Sequence, residues 1–385
     1  MKKTMAMILS HALVALIACC VTLFAVVFQL DAGYNKLEQL GEIIANNFIE
    51  EYNKTEIEDA AAHAMVGALG DRWSYYIPAD EYASYQEQMA NSYVGIGVTI
   101  QQRSDGQGLD VIQVSQGGPA EAAGILAGDR VIGVDDRDIR GMELKAVRNM
   151  IRGEEGTAVS ITVLRGEKQL SFPLVRKSFR TPVATATLLA DNIGLVTIEN
   201  FDSRCADETI AAIESLQSQG ATKLIFDVRN NPGGYKSELV KVLDYLLPKV
   251  LVFKCEYSGG KIDEDWSQES CIDMPMAVLV NGNSYSAAEY FAAALNEYDK
   301  AIVVGQATTG KGHVQNVYQM NDGSAVGISI GRYWTPKGVN LEGVGITPQI
   351  PVEVDEDTFS KIYYGTLPPE EDPQVQAAVN ALLGS

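Results

Sequence analysis

At about 150 residues per domain, a chain of 385 residues has room for two to three folded units, and 46% apolar against 21% charged residues is enough to build real cores. The net charge of −20, from 30 basic and 50 acidic residues, repels phosphate backbones and argues against a nucleic-acid partner. Three His and five Cys, with no CxxC or HExxH pattern, argue against a zinc site.

Lys2 and Lys3 precede a nearly unbroken apolar run from Met5 to Leu30. Such a run can cross a hydrocarbon core of about 30 Å as a helix. It is also longer than the roughly 7–15 apolar residues of a cleaved signal peptide. The expectation is a cytoplasmic tip and uncleaved transmembrane anchor over residues 1–30, with everything beyond it outside the membrane and strongly acidic. Cys19 and Cys20 fall in this span, whereas Cys205, Cys255 and Cys271 lie beyond it. Cys255 and Cys271 flank a polar hairpin or loop that a disulfide could close in an oxidising space. Residues 31–91 then read as a helical arm, because Leu37, Leu40, Ile43, Ile44 and Phe48 recur at helical spacing. Packing of helices, or self-association into a homodimer, is the expectation for this arm.

Residues 92–178 read as a compact, mainly β unit. Tyr93 to Val98 leads into an alternating strand, Leu109 to Val114 forms another, and Gly118 to Gly124 makes a short helix. Gly128 to Val134 follows, then an amphipathic helix from Met142 to Ile151 and closing strands at Ala158–Leu164 and Gln169–Val175. This order resembles a PDZ domain of the bacterial, protease-associated type. The resemblance implies an extended peptide ligand laid beside Val98–Gln101. The amides of Gly95, Ile96 and Gly97 would cup its terminal carboxylate, and Leu144, Val147, Arg148 and Ile151 would line the opposite wall.

Residues 179–385 alternate strands and helices, the pattern of an α/β layered core. Three stretches in it carry chemistry. Asp227 to Gly234 runs from a strand into an Asn-Asn-Pro-Gly-Gly turn, whose exposed N–H groups suit a developing oxyanion as well as a plain βα connection. Ser286 opens a helix after the Val278–Val280 strand, and its Ser-x-x-Glu spacing to Glu289 is equally that of a helix cap. Lys311 lies between Gly310 and Gly312. A lysine works as a base only if burial lowers its ordinary pKa of about 10.4.

In this order, the three stretches resemble the C-terminal processing peptidases, or tail-specific proteases, PDZ-containing serine proteases with a Ser–Lys dyad. Leu69 to Tyr76, Tyr333 to Gly338, Gly345 to Pro348 and Asp372 to Gln374 extend the resemblance over roughly residues 35–385. It implies an α/β peptidase core of crotonase-like ββα type, with Ser286 as nucleophile, Lys311 as base and Gln315 orienting the lysine amine. The Ala287 amide with one of the Gly233 or Gly234 amides would form the oxyanion hole, and no metal or organic cofactor enters. Arg152 matches an arginine that couples peptide binding to the active site in some relatives. The implied partners are proteins or peptides with accessible C-termini, cut outside a bacterial cell membrane that the chain spans once.

Two departures stand out. Tyr285 replaces the alanine usual between the two serines, and Gln349 stands where Asp commonly follows Gly-Ile-x-Pro. Ser284 is the rival nucleophile. His63 and His313 are the only histidines beyond the anchor that a Ser-His-Asp enzyme could use. The non-enzymatic alternative is an anchored, catalytically inactive PDZ scaffold that binds C-terminal peptides.

Overall fold

The computed structural model describes residues 11, 14, 16–22, 35–115, 117–269 and 271–384. Most of the expected anchor, residues 1–30, lies outside the described residues. Among the described ones no helix is long and apolar enough to cross a membrane. The chain divides into two compact units, Met1–Ala62 and His63–Ser385.

In the first unit, Asn35–Asn47 forms the helix that the apolar spacing predicts. Leu37, Leu40, Ile43 and Phe48 remain about half exposed. A second helix, Lys54–Gly67, begins here and ends in the larger unit. The arm is not helical throughout, however. Tyr75–Ile77 is a strand pairing antiparallel with Ala325–Gly327. Tyr76 and Ile77 are buried there, and Gly327 leaves room for the Tyr75 ring: a Cβ on Gly327 would stand 2.5 Å from it. Local periodicity does not reveal a strand whose partner is some 250 residues away.

A second element of the larger unit is an antiparallel sheet ordered Val98–Gln102, Leu109–Val114, Arg130–Val134, Ala158–Arg165 and Lys168–Val175. Ile96, Leu109, Val131, Val147, Ile161 and Val163 form its dry core. The ribbon Ser92–Gly95 with Lys177–Arg180 joins its ends. Val98–Gln102 is an edge strand, with one side free of any strand partner among the described residues.

The remaining sheet runs in the order Ala184–Leu188, Ile193–Ile198, Lys223–Asp227, Met276–Val280, Ala301–Gly305 and Ile350–Pro351. Only its first pair is antiparallel. Parallel strands covered on both faces read as continuous apolar runs, and Met276–Val280 is buried at every residue. Its side chains alternate: Val278 and Val280 face the helices Cys205–Ser218, Lys236–Leu246 and Ala287–Glu297, while Ala277 and Leu279 face Pro373–Leu383. Helices on both faces bring the C-terminal ends of the central strands together, where loops 228–235, 281–286 and 306–312 converge. Cys255, buried on the strand Leu251–Tyr257, and Cys271 are both free thiols, so the disulfide weighed for them is absent.

Candidate active site

Ser286 has φ 60° and ψ −120°, a backbone conformation that costs a non-glycine residue about 1–3 kcal/mol. Two contacts hold it. Ser286 and Glu289 form a capping box in which Ser286 N donates to Glu289 Oε2 at 3.0 Å. Gly233, at φ 88°, presses so close that a Cβ on it would lie 2.8 Å from Ser286 Cβ and 2.9 Å from Ala287 N. Ser284 is different: it is fully buried, donating to Val228 O at 2.7 Å and accepting from Asn281 N at 3.0 Å. Its hydroxyl ties a loop to a strand and has no open side for a substrate.

Two hydrogen bonds join Asn230 and Asn281 across the two strand ends, backbone Asn230 N to Asn281 Oδ1 and side-chain Asn281 Nδ2 to Asn230 Oδ1, each at 2.9 Å. Buried Asn231 closes the Gly-rich turn, accepting at Oδ1 from Gly233 N at 2.8 Å. Of the two glycine amides expected as alternatives for an oxyanion hole, that of Gly233 is therefore occupied. Among the described residues no hydrogen bond occupies the Gly234 or Ala287 amide.

Glu289 does far more than cap a helix. Its buried carboxylate also accepts from Thr308 Oγ1 at 2.5 Å, Gly310 N at 2.7 Å and Lys311 N at 2.9 Å. One side chain thus fastens the backbone of Ser286 to the backbone of Lys311. Burial raises its pKa, and the donated hydrogen bonds oppose that rise without cancelling it. Buried Tyr333 completes the tie, its hydroxyl donating to the Lys311 carbonyl close to the Ser286 side chain. Burial pushes this phenol far up in pKa, so it stays a donor.

The Lys311 amine lies beside the stacked pair Trp73–Tyr285, 5.0 Å from the Trp73 centroid and 5.8 Å from that of Tyr285. It donates to Gln315 Oε1 at 2.5 Å, and Gln315 Nε2 in turn donates to the Trp73 carbonyl. Burial lowers the lysine pKa to about 8, against the opposing charges of Asp71, Glu342 and Glu289. A neutral amine is therefore accessible near physiological pH. Among the described residues no hydrogen bond joins Lys311 Nζ to Ser286 Oγ. The structure brings Ser286, Ala287, Gly233, Gly234, Lys311 and Gln315 into one neighbourhood through Glu289, Tyr333 and the Gly233 contact.

The two departures acquire physical roles. The Tyr285 ring is one wall of the lysine pocket. Gln349 Oε1 accepts from Asn296 Nδ2 at 2.7 Å and Val303 N at 3.0 Å, acceptor duties that a carboxylate would also meet. His313 bonds Glu342 through Nδ1 at 3.0 Å, and His63 lies edge-on to Tyr76. Neither meets Ser286. The residues missed from sequence were Trp73, Tyr333, Glu342 and the wider role of Glu289. The Leu69–Tyr76 and Tyr333–Gly338 runs had stood out as motifs, and only their contacts give them a function.

Around the proposed peptide groove, Gly95 is buried at a strand end and Gly97 has φ 77°. Val147 and Ile151 are buried in the core of this unit, with Leu144 packed partly against it. Arg148 is exposed, so half of the expected wall is interior and half open. Arg152 lies 5.5 Å over the Tyr93 ring and 3.9 Å from Glu87 of the helix Ala79–Met89.

Comparison with known proteins adds identity to this geometry. The model of peptidase family S41 matches residues 192–352, and that of the PDZ domain residues 86–164. The carboxy-terminal processing protease CtpA of Bacillus subtilis is 30% identical over 337 residues, 87% of this chain and 72% of that protein. A CtpA-like serine protease of Staphylococcus haemolyticus is 33% identical over 318 residues, 81% of this chain and 63% of that relative. A solved photosystem II D1 C-terminal processing protease is 27% identical with TM-score 0.50, covering 83% of this chain and 87% of that one. A Bacteroides fragilis structure assigned to the S41 proteases shares the fold at TM-score 0.55 and 17% identity, covering 76% and 83%. The chain belongs to peptidase family S41, among the carboxy-terminal processing serine proteases that carry a PDZ domain.

Proposed function

We propose that this chain is a membrane-anchored serine endopeptidase that recognises protein C-terminal tails and cuts peptide bonds with a Ser286–Lys311 dyad. The observation that carries the reading is the partly buried Lys311, its amine set against the stacked Trp73 and Tyr285 rings and bonded to Gln315, with its pKa lowered to about 8. Ser286 Oγ attacks the peptide carbonyl carbon as its proton passes to neutral Lys311 Nζ. The same proton then goes to the leaving amine nitrogen, and water hydrolyses the acyl-enzyme. Gln315 orients the lysine, and the Gly234 and Ala287 amides stabilise the oxyanion. Gly233 serves by its shape, letting the turn approach Ser286. A rotation of the Ser286 side chain toward Lys311 is required, since the two are not hydrogen-bonded in this state.

In this reading the core is of the crotonase-like ββα type. Residues 1–30 hold the protein in a bacterial cell membrane with the catalytic portion outside, and the helical arm self-associates. The tail adds along the open edge at Val98, its carboxylate on the Gly95–Gly97 amides. Arg152, through Glu87 and Tyr93, would pass occupancy of that edge toward the core. A second reading, a tail-binding scaffold without activity, draws on the cap position of Ser286 and its lack of contact with Lys311.

One experiment separates the two. Full-length protein is incubated with a substrate bearing an apolar C-terminal tail, alongside Ser286→Ala, Lys311→Ala and Lys311→Arg. Cleavage by the wild type alone, with tail binding kept in all variants, is the expected outcome. Arginine keeps the charge but cannot become neutral, so an active Lys311→Arg enzyme would refute the base assignment.

A further inference from the structure

The carboxylate of Glu342, partly buried on the turn after the Tyr333–Gly338 run, gathers donors from two distant stretches of chain. Gly312 N reaches it at 2.8 Å and His313 Nδ1 meets it at 3.0 Å, both next to the proposed base. Trp73 Nε1 donates to its two oxygens at 2.9 and 2.8 Å, and Arg72 Nε at 3.2 Å. The Arg72 guanidinium also lies 4.3 Å over the Trp73 ring and bonds the Gly310 carbonyl. The backbone on both sides of Lys311 is therefore gripped, Gly310 by Arg72 and Gly312 by Glu342. The fit is close, for a Cβ on Gly312 would stand 2.6 Å from Glu342 N.

Trp73 gives this grip a chemical consequence. Its carbonyl receives Gln315 Nε2, and its ring, stacked on Tyr285, lies against the Lys311 amine. We propose that Glu342 is a positioning residue for the lysine, clamping the Arg72–Trp73 segment onto the Gly310–His313 segment so that Trp73 keeps Gln315 and the amine in place. The proposal rests on the Ser–Lys reading. It concerns a residue that touches neither nucleophile nor base side chain.

An amide cannot replace this carboxylate. It offers one acceptor oxygen, and its own N–H groups would oppose those of Trp73, Arg72 and Gly312. Two consequences of losing the carboxylate pull the lysine in opposite directions. The charged groups acting on Lys311 are Asp71, Glu342 and Glu289, all of which favour its protonated form against the burial that disfavours it. If Glu342 acted only as a nearby charge, neutralising it would lower the lysine pKa further. If it is a clamp, its loss lets Trp73 move and water reach the amine, and the pKa climbs back toward 10.5.

The sign of that shift is the test. The rate at which a fluorophosphonate probe labels Ser286 would be followed from about pH 6 to about pH 10 in full-length wild type, Glu342→Gln, Trp73→Phe and Lys311→Ala. Glu342→Gln is expected to label about fivefold more slowly at pH 8, with its midpoint moved up by about one unit. Trp73→Phe keeps a ring but loses the Nε1 donor, and should move the midpoint upward by less. A Glu342→Gln midpoint that stays put or falls overturns the proposal. Should that variant fail to fold, an unmoved midpoint in Trp73→Phe overturns it instead. Labelling of Lys311→Ala at the wild-type rate would overturn the dyad itself, a failure distinct from that of the clamp.

Discussion

The PDZ and peptidase parts of the larger unit bury charge to very different extents. In the PDZ part the core is hydrocarbon and most ion pairs lie at the surface, as where Arg103 bridges Asp105 and Asp110 at 2.7 and 2.8 Å; its one buried carboxylate in an ion pair among the described residues is Asp129, which Arg165 meets at 2.6 Å. In the peptidase part charges cross the interior. Arg229, 5% exposed, pairs with Asp227 at 2.6 Å and Asp372 at 2.8 Å, and Glu289 gathers four donors out of contact with water. The difference teaches what each part has to do. A hydrophobic core of the right volume makes a fold, but it leaves the relative placement of remote segments loosely defined. Directional polar ties set that placement, and they are expensive to break because each leaves a buried group without its partner.

The comparison can be broken most forcefully at Arg229. Arg229→Met strands two carboxylates in the interior, so a loss of about 3–5 kcal/mol is expected in urea unfolding of the full chain. A loss under about 1 kcal/mol would mean the buried network does not hold the helix Pro373–Leu383 to the sheet.

Lys311 sharpens the same contrast, because here burial works against stability. With its folded-state pKa lowered to about 8 from 10.5, the native protein holds fewer protons than the unfolded chain between those values. Stability attributable to this group therefore rises with pH across that window, and its cost is greatest below about 8. Lys311→Met should abolish cleavage yet stabilise the fold by about 1–3 kcal/mol at pH 7, with the gain shrinking toward pH 10. Thermal melts at several pH values would read this, and a destabilised variant at pH 7 would contradict it. The rate of cleavage should likewise climb through a limb near pH 8 as the amine loses its proton. The smallest effect belongs to the PDZ surface: Arg103→Ala should leave the melting midpoint within error at physiological salt, and a clear drop would show that these pairs carry more than their exposure allows.

Most of the architecture was legible because it is written in short-range patterns. Alternation and continuous apolar runs marked the strands, and the helix beginning at Ser286 was evident from its cap spacing. The helical spacing of residues 37–48 was read correctly, whereas the strand Tyr75–Ile77 was hidden inside the arm because its partner, Ala325–Gly327, lies far along the chain. At the site, Ser286, Lys311 and Gln315 were named from motif resemblance. Their surroundings were not, since the stacked Trp73–Tyr285 pair beside the amine and the ties through Tyr333 and Glu342 join residues up to 270 positions apart.

Sequence by itself determined the layered α/β core, the β-rich PDZ unit before it, and which serine, lysine and glycines could carry chemistry. Periodicity, glycine spacing and residue type are local properties, so they survive without coordinates. Tertiary structure alone decided that Ser284 is buried as a strap, that the Gly233 amide is occupied by Asn231, and that the Lys311 amine is dry enough to lose its proton near pH 8. Each of these depends on which remote groups surround an atom and exclude water from it, and desolvation is a property of the packed whole that no window of sequence contains.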